Sequence, residues 1–349
     1  MIFKEVKVDN KQFKEIWIKE IESKQPCLSY EYLTFGNTDT SERDYYLMST
    51  IDNKVVSIVY LSTLSHKILK IIKLKVLSLG SQITNGLPFW YDETFIDYNT
   101  FLSSLLEYIN KNIRFQLMLL KDFKEIEDKE KILVNTKHNF LNFNTFSRSY
   151  RFLDATFENY LENLNSKKRM FLKKEILKTI DLNNLRVENI KVIDNEKLDH
   201  FYKLYKNVSL NAKEIRIEAL PKEFFIRINR HFENLNYVVV FDTDKIIGFG
   251  ILLGHNKNLR CFCLGMDYSS PKKNNLWYVI VLESIKYSIE NKYSKIEFGN
   301  SNYSMKRKFG AIEEKIIFSI KLKNKTLNNL LFPLLKKLTQ KTFKTKNDN

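Results

Sequence analysis

Apolar and polar positions alternate along this chain in two rhythms, one of period two in short runs and one of three to four in longer stretches. Residues 44–51 (DYYLMSTI) and 55–62 (VVSIVYLS) are β-rich runs on either side of Asp52–Asn53–Lys54, which predicts a hairpin. A third strand is predicted over 71–79, followed by a loop through Asn85, Gly86 and Pro88. Tyr98, Phe101, Leu102, Leu105, Leu106 and Ile109 then recur at steps of three and four, the stripe of a helix with one buried face. Phe115 to Leu120 is a compact apolar run, which reads as a buried strand.

The second half repeats the order. Tyr237–Phe241 and Ile246–Leu253 are strands around the turn at 242–245, and Leu259–Tyr268 is a third. Residues 275–290 form the strongest helix of the chain, and Lys295–Gly299 is a short strand after it. Hairpin, strand, long helix and buried strand therefore occur twice, which predicts a duplicated α/β fold with mixed sheets rather than a solenoid. The expected division is 1–155, 156–325 and a basic amphipathic tail, 326–349. Residues 166–180 (SKKRMFLKKEILKTI) predict a basic helix with Met170, Phe171, Ile176 and Leu177 turned inward. In the tail, leucines from Leu327 to Leu338 stand at helical spacing beside Lys336, Lys337 and Lys341, and Pro333 starts the final helix. Such a tail offers a peripheral contact to a membrane surface, although docking on its own protein is the stronger expectation.

Composition narrows the class. Hydrophobic residues are 44% and charged residues 28% of 349, so the chain is globular. Lys+Arg 57 against Asp+Glu 41 leaves +16, an excess that favours polyanions such as nucleic acid, CoA-like nucleotides or anionic lipid. Three cysteines cannot build a disulfide framework, and Met1 to Trp17 contains no apolar signal core. The chain is expected to be soluble and cytoplasmic. Cys261 and Cys263 are expected on one strand face without metal-ligand spacing, and the five scattered histidines support no catalytic triad. No metal and no resident cofactor are expected.

The richest chemistry lies in 297–311, EFGNSNYSMKRKFGA. A strand ends at Gly299, a short helix follows, and Gly310 closes it with a left-handed cap. Tyr303 and Lys306 are three apart and share a face at a strand end, where α/β sheets bind ligands. A tyrosine can protonate a leaving group, and a lysine can hold a phosphate or an oxyanion. Asp267 and Glu297 end the two predicted central strands, and each is a candidate to take a proton from an amine.

The pattern G-x-x-x-Y-x-x-K-x-x-x-G-A, read from Gly299, Tyr303, Lys306, Gly310 and Ala311, resembles the C-terminal signature of double-domain GNAT-type acyltransferases. That group includes acetyltransferases and the FemAB-like aminoacyl transferases. Tyr160–Leu161 through Lys168–Arg169, with Phe157, resembles their paired-helix motif; Leu264–Tyr268 before a long helix and Gly86–Leu87–Pro88 also fit. The resemblance implies two tandem GNAT-like (acyl-CoA N-acyltransferase) domains, the first degenerate and the second carrying the working site. It further implies an N-acyltransferase that moves an acyl group from an activated donor to an amine on a small molecule or glycan precursor. The expected donor is acyl-CoA as co-substrate, held at the start of the long helix by Ser269, Ser270, Lys272, Lys273 and Asn274, where this sequence lacks the usual glycines. Arg169, Gly299 and Asn302 are the expected substrate contacts. The alternatives are aminoacyl-tRNA-dependent transfer onto a cell-wall precursor or another amine, and an inactive basic binding protein.

Overall fold

Both alternating blocks fold where the periodicities place them. The computed structural model describes residues 1–22, 26–35, 42–68, 72–81, 84–211, 219–324 and 326–328. The first block runs through β1 (Ile2–Val6), α1 (Lys11–Ile16), α2 (Tyr30–Phe35), β2 (Arg43–Ile51), β3 (Lys54–Ile68), β4 (Ile72–Leu79) and β5 (Phe89–Tyr91). It continues with α3 (Tyr98–Asn112), β6 (Leu117–Lys124), α4 (Lys129–Lys137) and β7 (Leu141–Phe152). The β2–β3 hairpin turns on Asp52 and Asn53, both at positive φ, the geometry a two-residue hairpin requires and that Asp and Asn tolerate. Asp97 accepts a hydrogen bond from the Thr100 amide and so starts α3, which buries the expected stripe from Tyr98 to Ile109.

The second block begins with α5 (Phe157–Glu162), α6 (Ser166–Phe171), a π-turn (Leu172–Leu177) and α7 (Lys178–Leu182). There follow β8 (Leu185–Ile190), α8 (Asn195–Asn211), α9 (Lys222–His231), β9 (Leu235–Asp242), β10 (Lys245–His255) and β11 (Asn258–Met266). The chain then forms α10 (Leu276–Glu290), β12 (Lys295–Gly299), α11 (Tyr303–Arg307) and β13 (Ile312–Leu322). In α6 to α7 Leu172 and Ile176 are buried, whereas Met170 is 53% exposed and does not face inward as expected. The wider π-turn rotates the buried face away from it.

The chain divides into two units, Met1–Phe146 with Glu314–Asn349, and Ser147–Glu313. This replaces the expected cuts after residues 155 and 325, and the cause is strand pairing. In the first unit Ile316–Leu322 of β13 lies antiparallel to β6, so the chain beyond Glu314 returns to complete that sheet. In the second, residues 149–152 of β7 lie antiparallel to β12. Of the expected tail only 326–328 are described, and they are helical; Leu330 onward, Pro333 included, lies outside the described residues.

Each unit is thus an α/β layer on a mixed sheet. In the first, β1, β2, β3 and β4 are antiparallel neighbours, β6 joins β4 in parallel, and α3 packs on the apolar side. In the second, β8 to β11 are antiparallel neighbours, β12 joins β11 in parallel, and α10 fills the same place. Gly248 and Gly250 let α10 approach β10: a Cβ at Gly250 would stand 2.7 Å from Ile280. Phe262 is an extra residue in β11, since Leu252 pairs with Cys261 and Ile251 with Cys263. That bulge overturns the expected common face. Cys261 bonds toward Ser284 of α10, while Cys263 lies by Tyr205 and Tyr237 on the other side.

Candidate functional site

The parallel pairing in the second unit is short. Register partners join β11 to β12 only from Asn258–Lys295 to Arg260–Glu297, after which β11 runs on to Met266. Cys261 to Leu264, in the middle of a sheet, stay partly exposed. At the head of this gap Gly299 sits at φ +76°, and a Cβ built on it would have no neighbour within 4 Å. The sheet is therefore splayed, with empty space beside the strand end.

α11 is pinned at both ends so that its middle faces the splay. At its start, the Tyr303 hydroxyl accepts from the Ser147 amide (2.9 Å) and donates to one of the carbonyls of Asn300 (2.8 Å) and Ser147 (3.0 Å). Asn302, left-handed at φ 53°, accepts from the Lys306 amide. Beyond the helix, Arg151 donates to the Gly310 carbonyl (3.1 Å) and Tyr160 to that of Phe309 (3.1 Å). A Cβ on Gly310 would meet the Arg151 guanidinium at 2.2 Å, so glycine is needed there for space as well as for its φ of +75°. The motif residues Tyr160, Tyr303 and Gly310 thus serve to fix the helix.

Between these pins stands Lys306, 3% exposed. Its charge reaches Cys261 across the splay: burial pushes that thiol up to about 12, against a hydrogen bond from Ser284 and the positive charges of Lys306 and Arg260. Cys261 is therefore a neutral wall of the gap at physiological pH.

Strand alternation puts Arg260 and its pair Glu297 on the opposite face of the sheet from Cys261. Glu297 is 1% exposed. Burial would raise its carboxyl, but Arg148, Lys295 and Arg260 together hold it below the usual range. Oε1 accepts from Lys295 at 3.0 Å; Oε2 lies 3.9 Å from Arg260 and has no hydrogen-bond partner among the described residues. It is an anion with one acceptor in hand.

The other expected site residues are engaged elsewhere. Asp267 accepts from Lys245 (2.8 Å) and from the amide and hydroxyl of Ser269 (2.9 and 2.5 Å). Burial opposes ionisation, yet these bonds outweigh it and hold the carboxyl down at about 2, too acidic for a base, so Asp267 braces the β11–α10 turn. The expected phosphate cradle at the start of α10 is filled from within. Lys272 donates to Asp242 (2.6 Å) and to the Asn183 carbonyl (2.8 Å), and Lys273 to the Tyr268 carbonyl (2.9 Å). The Ser270 hydroxyl accepts from the Lys272 amide, and Asn274 is exposed. Asn275, left-handed at the head of the helix, turns its side chain to Thr179. Arg169 donates to the Glu162 carbonyl, closing α5.

Arg148 and Arg260 are brought to Glu297 from neighbouring strands and were not foreseen from the sequence, and neither was Lys295, two residues before it on the same strand face. The alternation of Arg148 with Tyr150, against Ser149 and Arg151, was the available signal. Among the described residues no group of acidic, histidine or cysteine side chains has the makings of a metal site. An open depression of about 480 Å³ on the first unit is lined by Ile16, Val55 and the exposed Gln12, Glu15, Asp52, Asn53 and Lys54.

The FemAB-like family, described as peptidoglycan biosynthesis/recognition, matches residues 121–344. No curated protein matches the chain. Among solved structures it is similar to FemX, with a TM-score of 0.62, 11% identity, and coverage of 95% of this chain and 100% of that one. It is similar to L-PGS from Bacillus licheniformis, with a TM-score of 0.58, 10% identity, and coverage of 97% and 99%. A tandem GNAT protein from the clavulanic acid biosynthesis pathway gives 0.59, 9% identity, and coverage of 92% and 98%. At these identities the likeness establishes the fold, two GNAT-like layers in tandem.

Proposed function

The chain belongs to the FemAB-like family and is an acyltransferase acting on amine acceptors; from that premise we propose that its donor is an aminoacyl-tRNA and its acceptor an amine of a peptidoglycan precursor. One observation carries the choice of donor. The start of α10, where acyl-CoA was expected to rest its pyrophosphate, is occupied by Lys272 with Asp242 and Asn183, and by Asn275 with Thr179. A CoA pyrophosphate would have to break these bonds without glycine amides to replace them. The formal charge of +16 suits a polyanionic donor.

The splay then supplies the chemistry. With the ester carbonyl of the donor beside Gly299, the Lys306 ammonium stabilises the oxyanion that forms as the amine attacks. Glu297, buried on the other face among Arg148, Lys295 and Arg260, is a structural anion that takes no part in the step. A C–N bond forms, the ester C–O bond to the ribose breaks, and the proton lost by the amine ends on the released ribose oxygen. Tyr303 and Asn302 act as positioning residues for Lys306.

The test is transfer of a labelled aminoacyl group from charged tRNA to a nucleotide-linked muropeptide, run beside labelled acetyl-CoA. Label from the tRNA ester, lost in Lys306→Met, is the expected result. Label taken from acetyl-CoA alone would reinstate the CoA donor.

A further inference from the structure

The helical run 166–182 carries more positive charge than its packing explains. Lys167, Lys173, Lys174 and Lys178 are exposed, and among the described residues none of them makes an ion pair. Lys167, Lys174 and Lys178 recur at steps of seven and four, with Lys173 beside them. Leu172 and Ile176, 0% exposed, seat the helix, and Phe171, one turn after Lys167, meets the ring of Tyr278 of α10 edge-on at 5.1 Å. Thr179 receives the Asn275 side chain and the Asn183 carbonyl takes Lys272. The stripe is thus a fixed surface.

It also leads to the site. The Lys308 ammonium lies 4.3 Å from the centre of the Phe171 ring and donates to the Tyr278 hydroxyl at 3.0 Å. Lys308 caps α11, the helix that sends Lys306 inward. One row of cations therefore runs from Lys178 along the helix to the element bearing the lysine of the splay.

We infer, resting on the donor reading above, that this lysine stripe is the docking surface for the acceptor arm of the tRNA donor, laid so that its esterified end reaches α11. The sugar-phosphate backbone is read there by charge alone, without base recognition. The same helix that fills the CoA cradle supplies the surface for the larger donor.

The experiment measures binding of uncharged bulk tRNA across a salt series, for the full chain and for Lys167→Gln/Lys174→Gln/Lys178→Gln. The expected result is about tenfold weaker binding at physiological salt and a salt slope shallower by about 2–3. Lys4→Gln/Lys7→Gln/Lys11→Gln, an equal loss of exposed charge on the first unit, is expected to leave both values in place. Lys167→Arg/Lys174→Arg/Lys178→Arg is expected to keep both values at those of the parent. An unchanged slope in the stripe variant overturns the inference, whatever Lys306→Met does to transfer. So does a loss confined to vesicles of equal phosphatidylglycerol and phosphatidylcholine, which would make the stripe a membrane contact. Failure of the donor reading has a separate signature: tRNA binding that depends on the stripe, with no label moved from the aminoacyl ester.

Discussion

The two units build the same splay and treat it in opposite ways. In the first, the parallel pairing of β4 with β6 stops after three residue pairs, as that of β11 with β12 does in the second. Counting on from the last pair, Lys121 holds the place that Gly299 holds in the second unit. Lys121 is 7% exposed, and its ammonium donates to the carbonyls of Ser81 (2.7 Å) and Thr84 (2.5 Å) beyond β4. Asp122, at φ 70°, accepts from the Gly86 amide and holds the same loop. A lysine stitches one gap shut, while a glycine leaves the other open to a lysine from α11. On the function proposed above, the two sheets divide into scaffold and site by the fate of one residue at a strand end.

The contrast is broken most directly by removing each ammonium. Lys306→Met is expected to lower kcat for transfer by about 10²–10³-fold in protein that circular dichroism shows to be folded, because an oxyanion donor is lost. Lys121→Met should do the reverse. Transfer persists, and urea unfolding shows a loss of about 2–3 kcal/mol because two buried carbonyls lose their donor. If Lys121→Met abolished transfer in folded protein, the first unit could not be called scaffold.

Filling the open gap gives a smaller effect. Gly299→Ala should cost about 1–2 kcal/mol, from the left-handed backbone alone, since its Cβ meets nothing. Gly299→Val should add a steeper fall in kcat/KM than in stability. The smallest effect concerns the brace beside the site. The Asp267 carboxyl is depressed from an ordinary value near 4 to about 2. Its contribution is therefore present above pH about 4 and is lost as pH falls toward 2. With Lys245 60% exposed, solvent screening reduces it to about 1 kcal/mol. Asp267→Asn should remove that increment at pH 7 and converge with the parent in acid unfolding, with transfer reduced only severalfold.

Local periodicity made most elements legible. The turn at Asp52–Asn53, the stripe of α3 and the cap at Gly310 each follow from residues within a few positions of one another. Lys306 and Gly299 were legible for the same reason, as a strand end and the helix after it. Illegible were features decided by residues far apart in sequence. Nothing local in β13 announces that it pairs with β6, some 200 residues earlier. Nor does SSPKKNN reveal that Lys272 will be taken by Asp242 and Asn183. The bulge at Phe262 defeated the rule of alternate faces, and with it the reading of Cys261 and Cys263 as neighbours. Glu297 was visible as a strand-end carboxylate, but the three cations that hold its carboxyl below the usual range come from three strands.

The return of the chain at Glu314 has a consequence for biosynthesis. A ribosome that has finished β6 must add some 190 residues before β13 exists to cover that strand's free edge. At about 5–20 residues per second this leaves an unpaired strand for roughly 10–40 s. The amino-terminal half therefore emerges first and matures last, and a polypeptide released before the closing strand would be a natural client for chaperones rather than a smaller working protein.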